Sequence, residues 1–191
     1  HTFGVIRWAE QQRDRLNRMA SMDPLTGAPN RRSMELELRE AVLAHQRLGL
    51  PAALAVLDLD HFKRVNDTHG HEAGDRVLVA FTQLVQGSIR KRDRLFRFGG
   101  EEFVLLLPST SREGVEVALR KLCTLVREQL QGPDAPIQVS IGASMLREGD
   151  DWPTWLCRAD AELYQAKQSG RNRVCTDTLD AGDLARCGTA A

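Results

Sequence analysis

The 191-residue chain predicts an α+β domain in which helices pack on one face of a mixed, mostly antiparallel sheet. Three observations carry that expectation. Segments with apolar residues at helical spacing alternate with short aliphatic runs of strand length. Two such runs, residues 95–98 and 103–107, are separated only by Gly99-Gly100-Glu101-Glu102, the mark of a hairpin. The length suffices for one well-packed domain plus extensions.

Residues 1–22 are polar and charged, with Val5, Ala9, Gln12, Leu16 and Met19 at alternating four- and three-residue steps. That is an a/d seam, read either as a solvated leader helix or as a stalk that conveys a signal from an upstream domain. Asp23-Pro24-Leu25-Thr26-Gly27 is a turn-rich hinge, and it opens a domain expected over 23–175. A helix over 30–48 sets Met34, Leu38, Ala41, Val42 and His45 on one face. Residues 52–57 read as a central strand, and Asp60 is placed to cap a short helix from His61. Residues 73–89 form a second long helix, with Val77, Leu78, Phe81, Leu84 and Val85 inward. Beyond the hairpin come a helix over 113–130, a strand over 137–143 and a helix over 154–168 stopped by Gly170. A short strand over 173–175 precedes a small, polar, loose tail, 176–191.

Twenty-six basic and 26 acidic residues cancel, so no broad nucleic-acid footprint exists and any nucleotide chemistry must sit in a pocket. The four cysteines, Cys123, Cys157, Cys175 and Cys187, lack CxxC spacing and a histidine cluster. They read as reduced thiols of a cytoplasmic protein. No run approaches the roughly 18–20 apolar residues of a membrane span. An initial His1 suggests a fragment, whose full-length parent could still be membrane-anchored. His61, His69 and His71 have no acidic or cysteine partner at zinc spacing, and Trp152 and Trp155 read as packing residues beside Pro153.

The chemistry lies in Val56-Leu57-Asp58-Leu59-Asp60 and in Arg97-Phe98-Gly99-Gly100-Glu101-Glu102-Phe103. A carboxylate in an apolar strand costs several kcal/mol, about as much as one ion's effective desolvation, unless a cation or donor meets it. If the two strands are neighbours, Asp58, Glu101 and Glu102 converge, and hard oxygen ligands of that kind suit Mg²⁺ or Mn²⁺. Gly99 and Gly100 remove side chains where a backbone or a flat ligand must approach. Together these features indicate metal-dependent phosphoryl transfer.

Gly99-Gly100-Glu101-Glu102-Phe103 resembles the signature of the GGDEF family, the diguanylate cyclases. Further blocks occur in family order: Asp23 to Gly27, Asn30-Arg31-Arg32, Asp58 to Lys63, Asn66-Asp67-Thr68, and Gly70 to Asp75. Val139 to Gly142, Ala159-Asp160 and Tyr164 to Asn172 complete the set, so the likeness covers about Asp23 to Val174. Ala28 departs from it, standing where a larger aliphatic is common, which bears on interdomain packing alone. The resemblance implies a palm-like fold shared with class III nucleotide cyclases and some polymerases. It implies condensation of two GTP into cyclic di-GMP and two pyrophosphates, in a head-to-head homodimer. Two Mg²⁺ (or Mn²⁺) per site are implied, held by Asp58 and Glu101, with Glu102 close by and the Leu59 carbonyl completing the shell. Either glutamate could help to deprotonate the hydroxyl, Glu101 being preferred. Gly99, Gly100, Phe62 and Lys63 are implied on the substrate, Lys167 and Arg171 on its terminal phosphates, and Asn66 with Asp75 on guanine.

Each residue also has a plainer reading. Asp58 could be a helix cap, Lys63 a solvated surface residue and Asn66 a turn former. Asp75 could be an N-cap, and Lys167 with Arg171 ordinary charges at a helix C-terminus. Arg90-Lys91-Arg92-Asp93-Arg94 would normally be a solvated charge run, yet Arg90 and Asp93 match the family's inhibitory product site. A second functional class is a catalytically silent module that senses GTP or cyclic di-GMP. Degenerate copies usually lose the signature acids, whereas Asp58, Glu101, Glu102, Lys63, Asn66 and Asp75 are all present.

Overall fold

The computed structural model describes residues 20–177. The a/d seam from Val5 to Met19 and the tail from 178 onward lie outside the described residues.

Helix α1, Arg31–Leu48, begins where the Asn30 side chain accepts the Ser33 N–H and ends at Gly49, whose left-handed φ of 66° favours glycine. Strand β1 is Ala52–Leu59, helix α2 Phe62–His69 and helix α3 His71–Ser88. Strands β2, Arg94–Gly99, and β3, Glu102–Pro108, form the expected hairpin. Helix α4, Arg112–Gln129, is capped by the Ser111 hydroxyl on the Gly114 N–H. Strand β4 is Val139–Met145. Helix α5, Trp152–Gln168, is capped by Asp151 on the Thr154 N–H, with Pro153 in its first turn. Strand β5 is Val174–Thr176.

The sheet order is β2-β3-β1-β4-β5, antiparallel throughout except for β5 beside β4. The mixed sheet is as expected, but the helices cover both faces. On one face α3 and α4 bury Val77, Phe81, Leu119 and Val126 against Ala53, Ala55, Leu57, Phe103 and Leu105. On the other, α1 and α5 bury Met34, Leu38, Trp155, Ala159 and Leu163 against Leu54, Val56, Phe96, Val104 and Leu106. The reason is written in β1, all eight of whose residues are buried. A strand with no polar alternation needs cover on both sides.

Helix α5 lies against β4 at backbone contact. A Cβ on Gly142 would sit 1.9 Å from the Leu163 nitrogen and 2.3 Å from the Ala159 carbonyl oxygen. Trp155 is fully buried, its indole N–H donating to the Ser144 carbonyl at 3.0 Å, so its packing role is as expected. Cys123 and Cys175 are free thiols, whereas Cys157 is disulfide-bonded, contrary to the expectation of four reduced cysteines. Linear spacing carries no information about which sulfurs meet in space. No helix among the described residues is long and apolar enough to cross a membrane.

Candidate active site

Strand alternation sets the site. Asp58 follows Leu54 and Val56 onto the face covered by α1 and α5, and Glu102 precedes Val104 and Leu106 on that same face. Antiparallel register puts Asp58 directly opposite Glu102. The Leu59 N–H donates to the Glu101 carbonyl at 3.4 Å, tying the end of β1 to the hairpin turn. The Leu59 side chain is core, so only its main chain is available to a ligand.

Cross-strand carboxylates repel, and these are short of water. Burial pushes the Asp58 carboxyl up from its ordinary pKa, Lys167 opposes that rise, and Asp60 adds to it. Burial also raises Glu101, aided by the charges of Asp58 and Glu102, and raises Glu102, aided by Asp58 and Asp160. The Lys167 ammonium lies 3.0 Å from Asp58 Oδ2. Among the described residues no three acidic, histidine or cysteine side chains form a ready-made ion cage. The strands meet as expected, but the three acid side chains do not close into a cluster.

The hairpin tip is held from outside. Arg97 Nη1 donates to both Asp23 oxygens, at 3.1 and 2.9 Å, while its Nε and Nη2 donate to the Gly100 carbonyl at 3.2 and 2.8 Å. Burial opposes ionisation of Asp23, but the Thr26 hydroxyl and N–H, with Arg97, hold its carboxyl below the usual range. Gly100 has φ 50°, and no protein atom lies within 4 Å of where a Cβ would be on Gly99 or Gly100. The expected close approach of another backbone segment to these glycines is therefore absent; the turn conformation accounts for Gly100.

Asp60 does not cap α2. The N-cap is His61, at φ 59° with no side-chain capping bond, so the first N–H groups of α2 are left to other acceptors. Asp60 is buried and instead accepts the Ser140 hydroxyl at 2.7 Å and the Asn172 N–H at 2.9 Å. It thereby joins β1 to β4 and to the turn after α5, where Arg171 and Asn172 both adopt positive φ. That turn presents Arg171, whose charge reaches Asp58. Lys63 is exposed in the first turn of α2, while Phe62 is packed in the core. What Phe62 can offer a ligand is main chain.

Asn66 Oδ1 is buried without a hydrogen-bond partner. Gly74 makes room for it, since a Cβ there would sit 1.9 Å from that oxygen. Asp75, one residue further along α3, is exposed. A buried acceptor left unsatisfied costs about 1–3 kcal/mol, which a ligand N–H can recover.

Arg90 and Asp93 stand apart, at the opposite end of β2 from Gly99. Asp93 accepts the Arg90 N–H at 2.9 Å, and both line a cavity of about 550 Å³ with Val117, Lys121, Leu122 and Leu125 of α4. Burial raises the Asp93 carboxyl, with the Arg90 N–H and charge opposing. His69 Nε2 lies 2.6 Å from an Asp134 carboxylate oxygen.

Sequence reasoning missed Asp60 as a tie, the Asp23–Arg97 clamp, and Asp160. The last could have been found, because Asp160 and Lys167 are seven residues apart and share a helix face.

Fold and site together define an α+β domain with acids and a lysine at one end of a mixed sheet. The family model described as "Diguanylate cyclase, GGDEF domain" matches residues 20–173, and the chain belongs to that family. It is 41% identical over 158 residues to diguanylate cyclase DgcP of Pseudomonas aeruginosa, covering 81% of this chain and 24% of that protein. It is 37% identical over 174 residues to probable diguanylate cyclase DgcC of Escherichia coli K12, covering 89% of this chain and 46% of the relative. The chain thus spans less than half of either relative. Among solved structures, the coiled coil and GGDEF domain of DgcB from Caulobacter crescentus, in complex with c-di-GMP, superposes with TM-score 0.87. The identity is 30%, covering 92% of this chain and 95% of that one.

Proposed function

We propose that this domain is a diguanylate cyclase, condensing two GTP into cyclic di-GMP and two pyrophosphates. The observation that carries the reading is the facing pair Asp58 and Glu102, with Glu101 at the adjoining turn and Lys167 on Asp58. The donor set fits two Mg²⁺ or Mn²⁺: hard oxygens whose carboxyls are pushed up chiefly by burial and further by one another's charges. Asp58, Glu101, Glu102 and the Leu59 carbonyl would hold them. Bound there, such ions neutralise phosphate charge and acidify a ribose hydroxyl.

The chain's own residues do the rest. The start of α2 with Lys63, and Gly99-Gly100 with its open flank, receive the nucleotide. Lys167 and Arg171 hold the terminal phosphates. Asn66 Oδ1 accepts from guanine and the Asp75 carboxylate accepts from N1 and N2, a pairing that adenine leaves unmet. Glu101 takes the proton of the 3′-hydroxyl. The O3′–Pα bond forms, the Pα–O–Pβ bond breaks, and pyrophosphate leaves. The product's two-fold symmetry calls for a head-to-head homodimer, and an upstream domain acts on its geometry through the N-terminal segment, in the GTP-rich cytoplasm. Arg90 and Asp93 bind product and restrain the reaction.

Incubation with GTP and Mg²⁺, followed by chromatography, tests the reading. Wild type yields cyclic di-GMP, Glu101→Ala yields none, and Asp75→Ala loses preference for GTP over ATP. A demonstrably dimeric wild type without product would move the assignment to a silent nucleotide-binding module. If Arg90→Ala leaves inhibition by added cyclic di-GMP intact, the product site is wrong.

A further inference from the structure

The Lys167 ammonium stands beside the acids of the candidate site. Lys167 is the charge that opposes the raised carboxyls of Asp58, Glu101, Glu102 and Asp160 alike, and its Nζ makes a direct contact with Asp58 at 3.0 Å. Its root is fixed. Helix α5 is pinned to β4 at Gly142, and the turn beyond it is tied to Asp60 through the Asn172 N–H. Its tip is partly open to solvent, the Lys167 side chain being 32% exposed on a four-carbon stem. Asp58, whose side chain is 9% exposed, cannot stay ionised at low cost without a cation beside it.

The geometry points to Lys167 as a resident exchange cation, which occupies Asp58 while no dication is bound and moves to phosphate when dication and nucleotide enter. The inference rests on the metal reading proposed above and adds a constraint to it. An ammonium and a dication compete for one carboxylate, so metal binding without nucleotide draws Lys167 off Asp58, which it contacts directly. A triphosphate supplies Lys167 with a second anionic partner and offsets that loss. Dication and nucleotide binding are therefore positively coupled through one side chain, and by linkage the coupling is reciprocal. Lys167 is a positioning cation for metal entry as well as a phosphate contact.

The test is Mn²⁺ binding to the full chain without nucleotide, read by the electron paramagnetic resonance signal of free Mn²⁺. The comparison is among wild type, Lys167→Met, Lys167→Gln, Lys167→Arg and Asp58→Asn. Lys167, 32% exposed, pairs with a mostly buried Asp58, and releasing that pair should let Lys167→Met and Lys167→Gln bind Mn²⁺ about two- to fivefold more tightly than wild type. Lys167→Arg, which keeps a cation, should stay near wild type, and Asp58→Asn should lose the site. Melting curves with and without Mn²⁺ give a second readout, the larger stabilisation by metal being expected in the two neutral variants. If the neutral variants bind Mn²⁺ no better than wild type while Asp58→Asn abolishes binding, the exchange is overturned and the metal site stands. If Asp58→Asn binds like wild type, the metal reading itself is overturned and the exchange with it; if neither wild type nor the neutral variants bind, the exchange is overturned.

Discussion

Replacing Gly142 by alanine tests how tightly the sheet sets the position of the pocket lysine. The added Cβ would lie 1.9 Å from the Leu163 nitrogen, 2.3 Å from the Ala159 carbonyl oxygen and 2.6 Å from the Glu162 carbonyl carbon. All three are backbone atoms of α5, so no side chain can yield. Reaching ordinary contact requires helix and strand to separate by roughly 1.5 Å, a distance on which packing contacts are largely lost. Overpacking of this kind costs about 1–3 kcal/mol, which for a chain of this size lowers Tm by roughly 2–12 °C. Lys167 stands one helical turn beyond Leu163, so the same displacement lengthens its 3.0 Å contact with Asp58. The control is Gly87→Ala, in α3, where a Cβ meets nothing within 4 Å; helix propensity makes that change neutral or stabilising by up to about 1 kcal/mol. Thermal unfolding by circular dichroism compares the two, with GTP turnover measured alongside. Equal melting temperatures for the two variants would refute the claim that α5 is pinned by backbone contact at Gly142.

Three more outcomes are expected. Asp60→Ala leaves the Ser140 hydroxyl and the Asn172 N–H without their acceptor, costing about 2 kcal/mol or more in urea unfolding; an unchanged midpoint would show that the turn after α5 holds itself. Arg97→Ala removes the four bonds that join Asp23 to Gly100, and amide exchange at Gly99 to Glu101 should quicken. Arg97→Lys should recover only part of that protection, because a point charge cannot make the forked contact. Asp93 has a raised folded-state pKa, so its contribution to stability is present below the ordinary aspartate range and is lost as pH rises through the raised value. Asp93→Asn should therefore gain on wild type between pH 3 and pH 7 in parallel denaturation series, and a constant difference would contradict the assigned burial.

Much of this molecule could be read from local pattern. Helical spacing gave α1, α3, α4 and α5 to within a few residues, because apolar periodicity reports the buried face directly. The hairpin followed from two aliphatic runs around Gly-Gly-Glu-Glu, and ordered motif blocks singled out the acids, Lys63, Asn66, Asp75, Lys167 and Arg171 as candidates. Two-sided cover of the sheet was written in the unbroken apolar run of β1, but α1 and α5 are far apart in sequence and their shared face is a tertiary fact.

What the sequence determined by itself is the inventory: which segments are helix or strand, and which acids, amides and cations are present at family positions. Tertiary structure alone decided the pairings. Asp60 serves Ser140 and Asn172, at sequence distances of 80 and 112 residues, where local pattern had placed it as a cap. Arg97 reaches back 74 residues to Asp23, and Lys167 settles on Asp58 because α5 happens to end above β1. Such contacts depend on which strands become neighbours, and that is fixed by packing the whole sheet between two helical layers, with no signal in the residues flanking either partner.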